Sequence, residues 1–148
     1  MSDELGELEL RELEEGDVPS LLDLLRHLTD APAVTTSALR AIAEARRQAG
    51  MVTRVFIHRP TRRVVGTASL FVEPKFSRGG KSVGHIEDVV VDPSYRGKKL
   101  GQALIGDLCN IARSRGCYKV ILDCAEAAIE FYKKLGFEAR ERQMRLDL

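Results

Sequence analysis

One stretch restricts what this chain can fold into more than any other: Gly84-His85-Ile86-Glu87-Asp88-Val89-Val90-Val91-Asp92-Pro93-Ser94-Tyr95-Arg96-Gly97-Lys98-Lys99-Leu100-Gly101. Ile86, Val89, Val90 and Val91 are β-branched and suit a buried strand. Asp92-Pro93 ends that strand, because proline has no N–H to give to a ladder. A basic turn with a glycine follows, and an apolar helix begins near Leu100. A helix N-terminus offers free N–H groups and a partial positive charge, a natural seat for an anion. Glu87 and Asp88 lie side by side inside the strand. Consecutive strand residues point to opposite faces, so one of the two is expected in the core or a cleft. A carboxylate there is costly unless it is paired or used.

On either side of this stretch the chain alternates readable elements. Leu8 to Leu13 alternates apolar and charged residues and reads as a first strand. Asp17 is the expected N-cap of a helix carrying Leu21, Leu22, Leu24, Leu25 and Leu28, broken at Thr29-Asp30-Ala31-Pro32. Thr35 or Thr36 caps a second helix, closed by Gly50. Val52 to Ile57 and Val64 to Val72 are strands joined by the turn Arg59-Pro60-Thr61-Arg62. Glu73 to Ser82 reads as a polar loop. After the central strand, Leu100, Leu104, Leu108, Ile111 and Ala112 keep helical spacing. Val120-Ile121-Leu122 reads as a short strand covered on both sides, as in a parallel pair. Ala127 to Leu135 is a helix stopped by Gly136, and Phe137 to Leu148 is expected to give one or two last strands.

The chain of 148 residues suits one domain, spanning residues 1–148, with one core. A formal net charge of +1 argues against a general nucleic-acid binder. No apolar run is long enough to span a bilayer, and Met1-Ser2-Asp3-Glu4 is acidic where a signal peptide would be basic. Cys109, Cys117 and Cys124 are odd in number and lack Cys-x-x-Cys spacing, which suggests reduced thiols and a cytoplasmic setting, with import into an organelle left open. Neither they nor His27, His58 and His85 make a metal pattern, so no metal is expected.

Strand, Arg96-Gly97-Lys98-Lys99-Leu100-Gly101, then helix resembles the pyrophosphate loop of the GNAT acetyltransferase superfamily. The resemblance is strongest to its glucosamine 6-phosphate N-acetyltransferase branch, through Ile86-Glu87-Asp88-Val89, Cys117-Tyr118-Lys119-Val120-Ile121-Leu122-Asp123-Cys124 and Phe131-Tyr132-Lys133-Lys134-Leu135-Gly136-Phe137. One position departs. The superfamily pattern Gln/Arg-x-x-Gly-x-Gly/Ala has glycine fourth, where this chain has Lys99. The resemblance implies an α/β (α+β) fold with a mixed, mostly antiparallel central sheet and helices on both faces. It also implies direct acetyl transfer from acetyl-CoA to the amine of glucosamine 6-phosphate, a step in UDP-N-acetylglucosamine synthesis.

The resemblance assigns roles residue by residue. Backbone groups of Val89, Val90 and Val91 would meet the pantetheine arm, and Arg96, Gly97, Lys98, Lys99, Leu100 and Gly101 the pyrophosphate. Glu87, Asp88 and Asp123 are the carboxylates beside the reacting amine, and which of them takes the proton stays open. Tyr132 would sit near the cofactor sulfur and return a proton to the leaving thiolate. Thr29, Lys75, Phe76 and Arg78 belong to the sugar phosphate. The family adds a C-terminal arginine from the partner subunit; counted from Met144 that position falls on Asp147 here, and Arg145, two residues away on the same strand face, is expected in its place ahead of Arg142. That cross-subunit contact implies a homodimer whose two subunits build each site. Two rivals remain: the same fold acting on another amine, such as a protein lysine, and a non-catalytic acyl-CoA-binding module. The basic Lys75/Arg78 loop argues against a polycationic acceptor.

Overall fold

The computed structural model describes residues 4–148. Five strands form one sheet in the order β1 (Leu8–Glu12), β2 (Val52–His58), β3 (Arg63–Pro74), β4 (Ser82–Val91) and β5 (Cys117–Leu122). Neighbours are antiparallel except β4 and β5, which run parallel because the helix α3 (Leu100–Ser114) carries the chain between them. The sheet is thus mixed and mostly antiparallel, as expected.

Side-chain alternation divides the sheet into two apolar faces. Phe56, Val65, Ala68, Leu70 and Ile86 pack under Leu104, Ile105, Leu108 and Ala112 of α3, and Tyr132 of α4 (Ile129–Lys134) joins this cluster. On the other face Val55, Ile57, Val64 and Val90 take Leu21 and Leu24 of α1 (Val18–Leu25). Each such leucine stabilises the fold by about 1.5–3 kcal/mol. The second helix, α2 (Thr36–Gln48), buries no residue fully. Thr35 caps it, accepting from the Ala38 N–H at 3.2 Å. Its link to the sheet includes Arg46, which donates at 2.9 Å to both Thr53 Oγ1 and Ser69 Oγ.

Four expectations need correction. Asp17 precedes α1, but its carboxylate does not cap that helix; it accepts a two-pronged bond from Arg11 at 2.7 and 3.0 Å and the Glu14 N–H at 2.8 Å. The first helix stops at Leu25, leaving Leu28 exposed. The fifth strand is an edge strand with α3 on one face only; Ile121 on the other face is 42% exposed. Phe137 to Leu148 forms no strand within this chain. A strand needs a ladder partner, and this arm stands off from β5 across a groove of about 970 Å³, with Met144, Leu146 and Leu148 exposed.

Candidate active site

The β4–β5 ladder runs from Ser82↔Cys117 to Ile86↔Leu122 and then stops. The two strands part there for a local reason. Asp88 has φ +53°, a left-handed conformation, and the β3–β4 register slips between Thr67 and Ser69. One extra residue in β4 makes a bulge, which bends and twists the strand. Beyond it, residues 87–91 lack a β5 partner, so this edge of β4 offers unpaired backbone groups facing a cleft. Val90 turns its side chain into the α1 core, while Val89 and Val91 pack toward α3. All three are left with their backbone for a ligand.

Residues opposite one another in a ladder share a face. Thr53↔Ser69↔Glu87 is such a row, on the same face as α1. In the parallel pair His85 lies opposite Ile121, so Asp123 continues the same face toward Glu87. His85, Glu87, Ile121, Leu122 and Asp123 line one small pocket of about 60 Å³. Burial raises the Glu87 carboxyl above the ordinary range, Asp88 and Asp123 raise it further, and His85 opposes them. The structure therefore brings Glu87 and Asp123 into one pocket, while Asp88, which does not line it, lies close enough to act on the Glu87 carboxyl through its charge. Asp123 is exposed rather than capping a helix, since a turn at Glu126–Ala128 separates it from α4.

Tyr132 opens on the groove beside β5, which Asp123 and Cys124 also line. Its ring is only 8% exposed, held edge-on by Phe131 at 4.9 Å and Phe137 at 5.8 Å. Burial, with a smaller effect of Cys124, raises its phenol above the ordinary value. It therefore keeps its proton at neutral pH.

The turn before α3 has the backbone geometry that can seat an anion. Asp92 is buried, accepts the Ser94 N–H at 2.8 Å and the Arg63 guanidinium at 3.1 Å, and fixes where β4 ends. Gly97 has φ +80° and Lys99 φ +63°. Successive N–H groups in such a turn form a concave anion seat at the start of a helix. Lys99 thus occupies, at a cost, the left-handed position that glycine takes freely in the superfamily pattern. Gly101 answers a different need. A Cβ there would lie 3.3 Å from Phe131 and 3.9 Å from Val91. Leu100 is buried and offers only its backbone, Arg96 is exposed, and Lys98 is drawn to Glu4 and over the Tyr95 ring at 4.9 Å.

The residues expected to meet a sugar phosphate are less concentrated. Lys75 Nζ bonds Glu73 at 3.1 Å, and the other Glu73 oxygen bonds His85 Nε2 at 3.0 Å, so Lys75 lies near the carboxylate pocket. Arg78 stacks over Tyr118 at 5.1 Å, Phe76 is fully exposed and Thr29 lies exposed past α1. Arg145 is on the exposed arm, paired with Asp147 at 2.7 Å. The chain alone does not bring it to the carboxylates. His85 and Glu73 were not singled out from sequence. For His85 the signal was in the sequence, since it is two residues from Glu87 and so on its face; for Glu73 there was none, because its place beside His85 depends on the β3–β4 register.

The acetyltransferase (GNAT) family model matches residues 18–137. The chain is similar to a glucosamine 6-phosphate N-acetyltransferase of Trypanosoma brucei brucei, 64% identical over 98% of this chain and 99% of the relative. It is 39% identical to one from Oryza sativa, over 93% of this chain and 85% of the relative. Among solved structures, a Trypanosoma brucei acetyltransferase superposes with a TM-score of 0.93 at 66% identity, over 95% of this chain and 99% of that one. Glucosamine-6-phosphate N-acetyltransferase from Arabidopsis thaliana gives 0.91 at 36%, over 95% and 97%.

Proposed function

We infer that this chain, which belongs to the GNAT acetyltransferase family and within it to the glucosamine 6-phosphate N-acetyltransferases, moves the acetyl group of acetyl-CoA to the amine of D-glucosamine 6-phosphate. The observation that carries this reading is the carboxylate pocket of Glu87 and Asp123 opening where β4 and β5 part. The parted edge suits the pantetheine arm. The turn at 96–101 suits the pyrophosphate, with Lys98 exchanging Glu4 for phosphate.

The acceptor arrives as an ammonium, and Glu87, Asp88 and Asp123 attract it. Glu87, with its raised affinity for a proton, is a better base than an ordinary carboxylate and takes the ammonium proton directly or through water. The amine nitrogen then attacks the acetyl carbonyl. The new N–C bond forms as the C–S bond breaks, with no acyl-enzyme. Backbone N–H groups of β4 freed by the bulge polarise that carbonyl. The Tyr132 phenol gives its proton to the departing sulfur. The second amine proton leaves through the same carboxylates. Lys75, with Thr29, Phe76 and Arg78, receives the sugar phosphate.

The arm after Phe137 and the free β5 edge support a homodimer in which each arm finds its ladder partner on the other subunit and Arg145 reaches the partner's site. No helix among the described residues is long and apolar enough to cross a membrane. Subunit mixing tests the shared site. Arg145→Ala and Asp123→Asn are each expected to acetylate glucosamine 6-phosphate poorly. Mixed and re-equilibrated, they should regain activity, because one site of each heterodimer is then intact. Activity that stays at the mean of the two variants would overturn the shared site.

A further inference from the structure

His85 is the residue of the carboxylate pocket that the roles above leave unused. Its ring is clamped on two sides: the Phe71 ring lies 5.6 Å away across the ladder, and Nε2 meets Glu73 Oε1 at 3.0 Å. Glu73 is in turn held by Lys75 Nζ at 3.1 Å through its other oxygen. Hydrogen bonds from His85 and from Lys75 both hold the Glu73 carboxyl below its ordinary range, so it stays an acceptor. A carboxylate accepts and never donates, so Nε2 must carry the proton. In the neutral imidazole that leaves Nδ1 bare, and Nδ1 has no protein partner among the described residues. The same side chain lines the pocket with Glu87 and Asp123.

From this geometry we propose that His85 is an acceptor-binding residue: Glu73 fixes its tautomer so that Nδ1 accepts a hydrogen bond from a hydroxyl or ammonium N–H of the amino sugar in the Glu87–Asp123 pocket. The proposal rests on the amino-sugar reading given above and deepens it. A carboxylate in that place would also accept a hydrogen bond. It would, however, add a fourth negative charge to Glu87, Asp88 and Asp123 and raise the proton affinity of Glu87 further. Imidazole accepts without adding that charge. The pair Glu73–Lys75 also ties the acceptor pocket to the phosphate-binding lysine, so one clamp sets both ends of the sugar.

Two substitutions separate the two ring nitrogens. His85→Asn keeps a polar atom near Nδ1 and loses the Glu73 bond, whereas His85→Gln keeps a donor near Nε2 and loses the acceptor at Nδ1. CoA release is measured with glucosamine 6-phosphate varied at saturating acetyl-CoA, and then the reverse. For His85→Gln, kcat/KM for the amino sugar should fall about tenfold, one good hydrogen bond. His85→Asn should fall less than about threefold, and KM for acetyl-CoA should hold in both. Equal losses, a larger loss in Asn, or a rise in the acetyl-CoA KM would mean that His85 only supports the strand, and would overturn the proposal. The tautomer is read separately, by long-range proton–nitrogen correlation on the free protein. An Nε2-protonated ring is expected and an Nδ1-protonated ring would overturn the proposal whatever the acceptor. If wild-type protein leaves glucosamine 6-phosphate untouched while the tautomer is as expected, the amino-sugar reading has failed and, with it, the ligand assigned to Nδ1.

Discussion

Lys99 offers a test of the backbone reasoning at the turn before α3. It stands in the left-handed region at φ +63°, and its carbonyl accepts the first bond of α3, from the Ala103 N–H at 3.1 Å. An L-residue in that region costs about 1–2 kcal/mol. Glycine escapes the cost but loses about 0.4–1 kcal/mol through its freer unfolded chain. Alanine escapes neither the conformation nor its cost. Lys99→Gly should therefore be more stable than Lys99→Ala by about 0.5–1 kcal/mol. For a chain of this length that corresponds to about 1–4 °C in Tm. Both variants remove the same charge, so their affinities for acetyl-CoA should agree, and any shared loss against wild type measures the Lys99 ammonium. Thermal unfolding of the two variants side by side, with calorimetric titration of acetyl-CoA, reads both quantities. An alanine variant as stable as the glycine variant would refute the claim that this turn holds residue 99 left-handed.

Three further outcomes follow from the packing and the charges. Gly84→Ala should destabilise the fold by about 1–3 kcal/mol in denaturant titration, because the added Cβ would sit 3.2 Å from Leu70, 3.3 Å from Ala112 and 3.3 Å from Val120 in a closed interior. Glu87→Gln should lower activity and yet raise stability. The folded-state pKa of Glu87 lies above its unfolded value of 4.5, so ionised Glu87 weakens the fold at neutral pH. The variant's advantage in Tm should be full above the folded pKa and shrink as pH falls toward 4.5; an advantage that grew on acidification would contradict the raised pKa. Tyr132→Phe keeps the edge-on packing against Phe131 and Phe137 but removes the proton, so kcat should drop about 100-fold with acetyl-CoA binding little changed; a kcat near wild type would remove Tyr132 from the proton path.

Much of this was legible in the residues, for identifiable reasons. The central strand, its proline stop and the helix at Leu100 follow from β-branching, a missing N–H and heptad-like spacing, all local signals. Glu87 and Asp88 are conspicuous because carboxylates inside an apolar strand are costly; Asp123 stands out only through the family resemblance. What local signals did not carry was pairing. The bulge at Asp88, which parts β4 from β5, arises from the β3 register rather than from any bulge-marking glycine. The Glu73–His85 bond joins neighbouring strands whose hairpin register was not known beforehand. The arm after Phe137 alternates like a strand, yet a strand is a relation between two segments, and within one chain it has no second.

The central claim is that this pocket selects a phosphorylated amino sugar. It is tested most directly by CoA release from acetyl-CoA with glucosamine 6-phosphate and unphosphorylated glucosamine as parallel acceptors. The account predicts fast release with the phosphate ester and little with the plain sugar. Equal release with both would remove the phosphate from recognition and with it the roles of Lys75, Arg78 and Arg145. No release with either, while acetyl-CoA still binds, would contradict the acceptor itself.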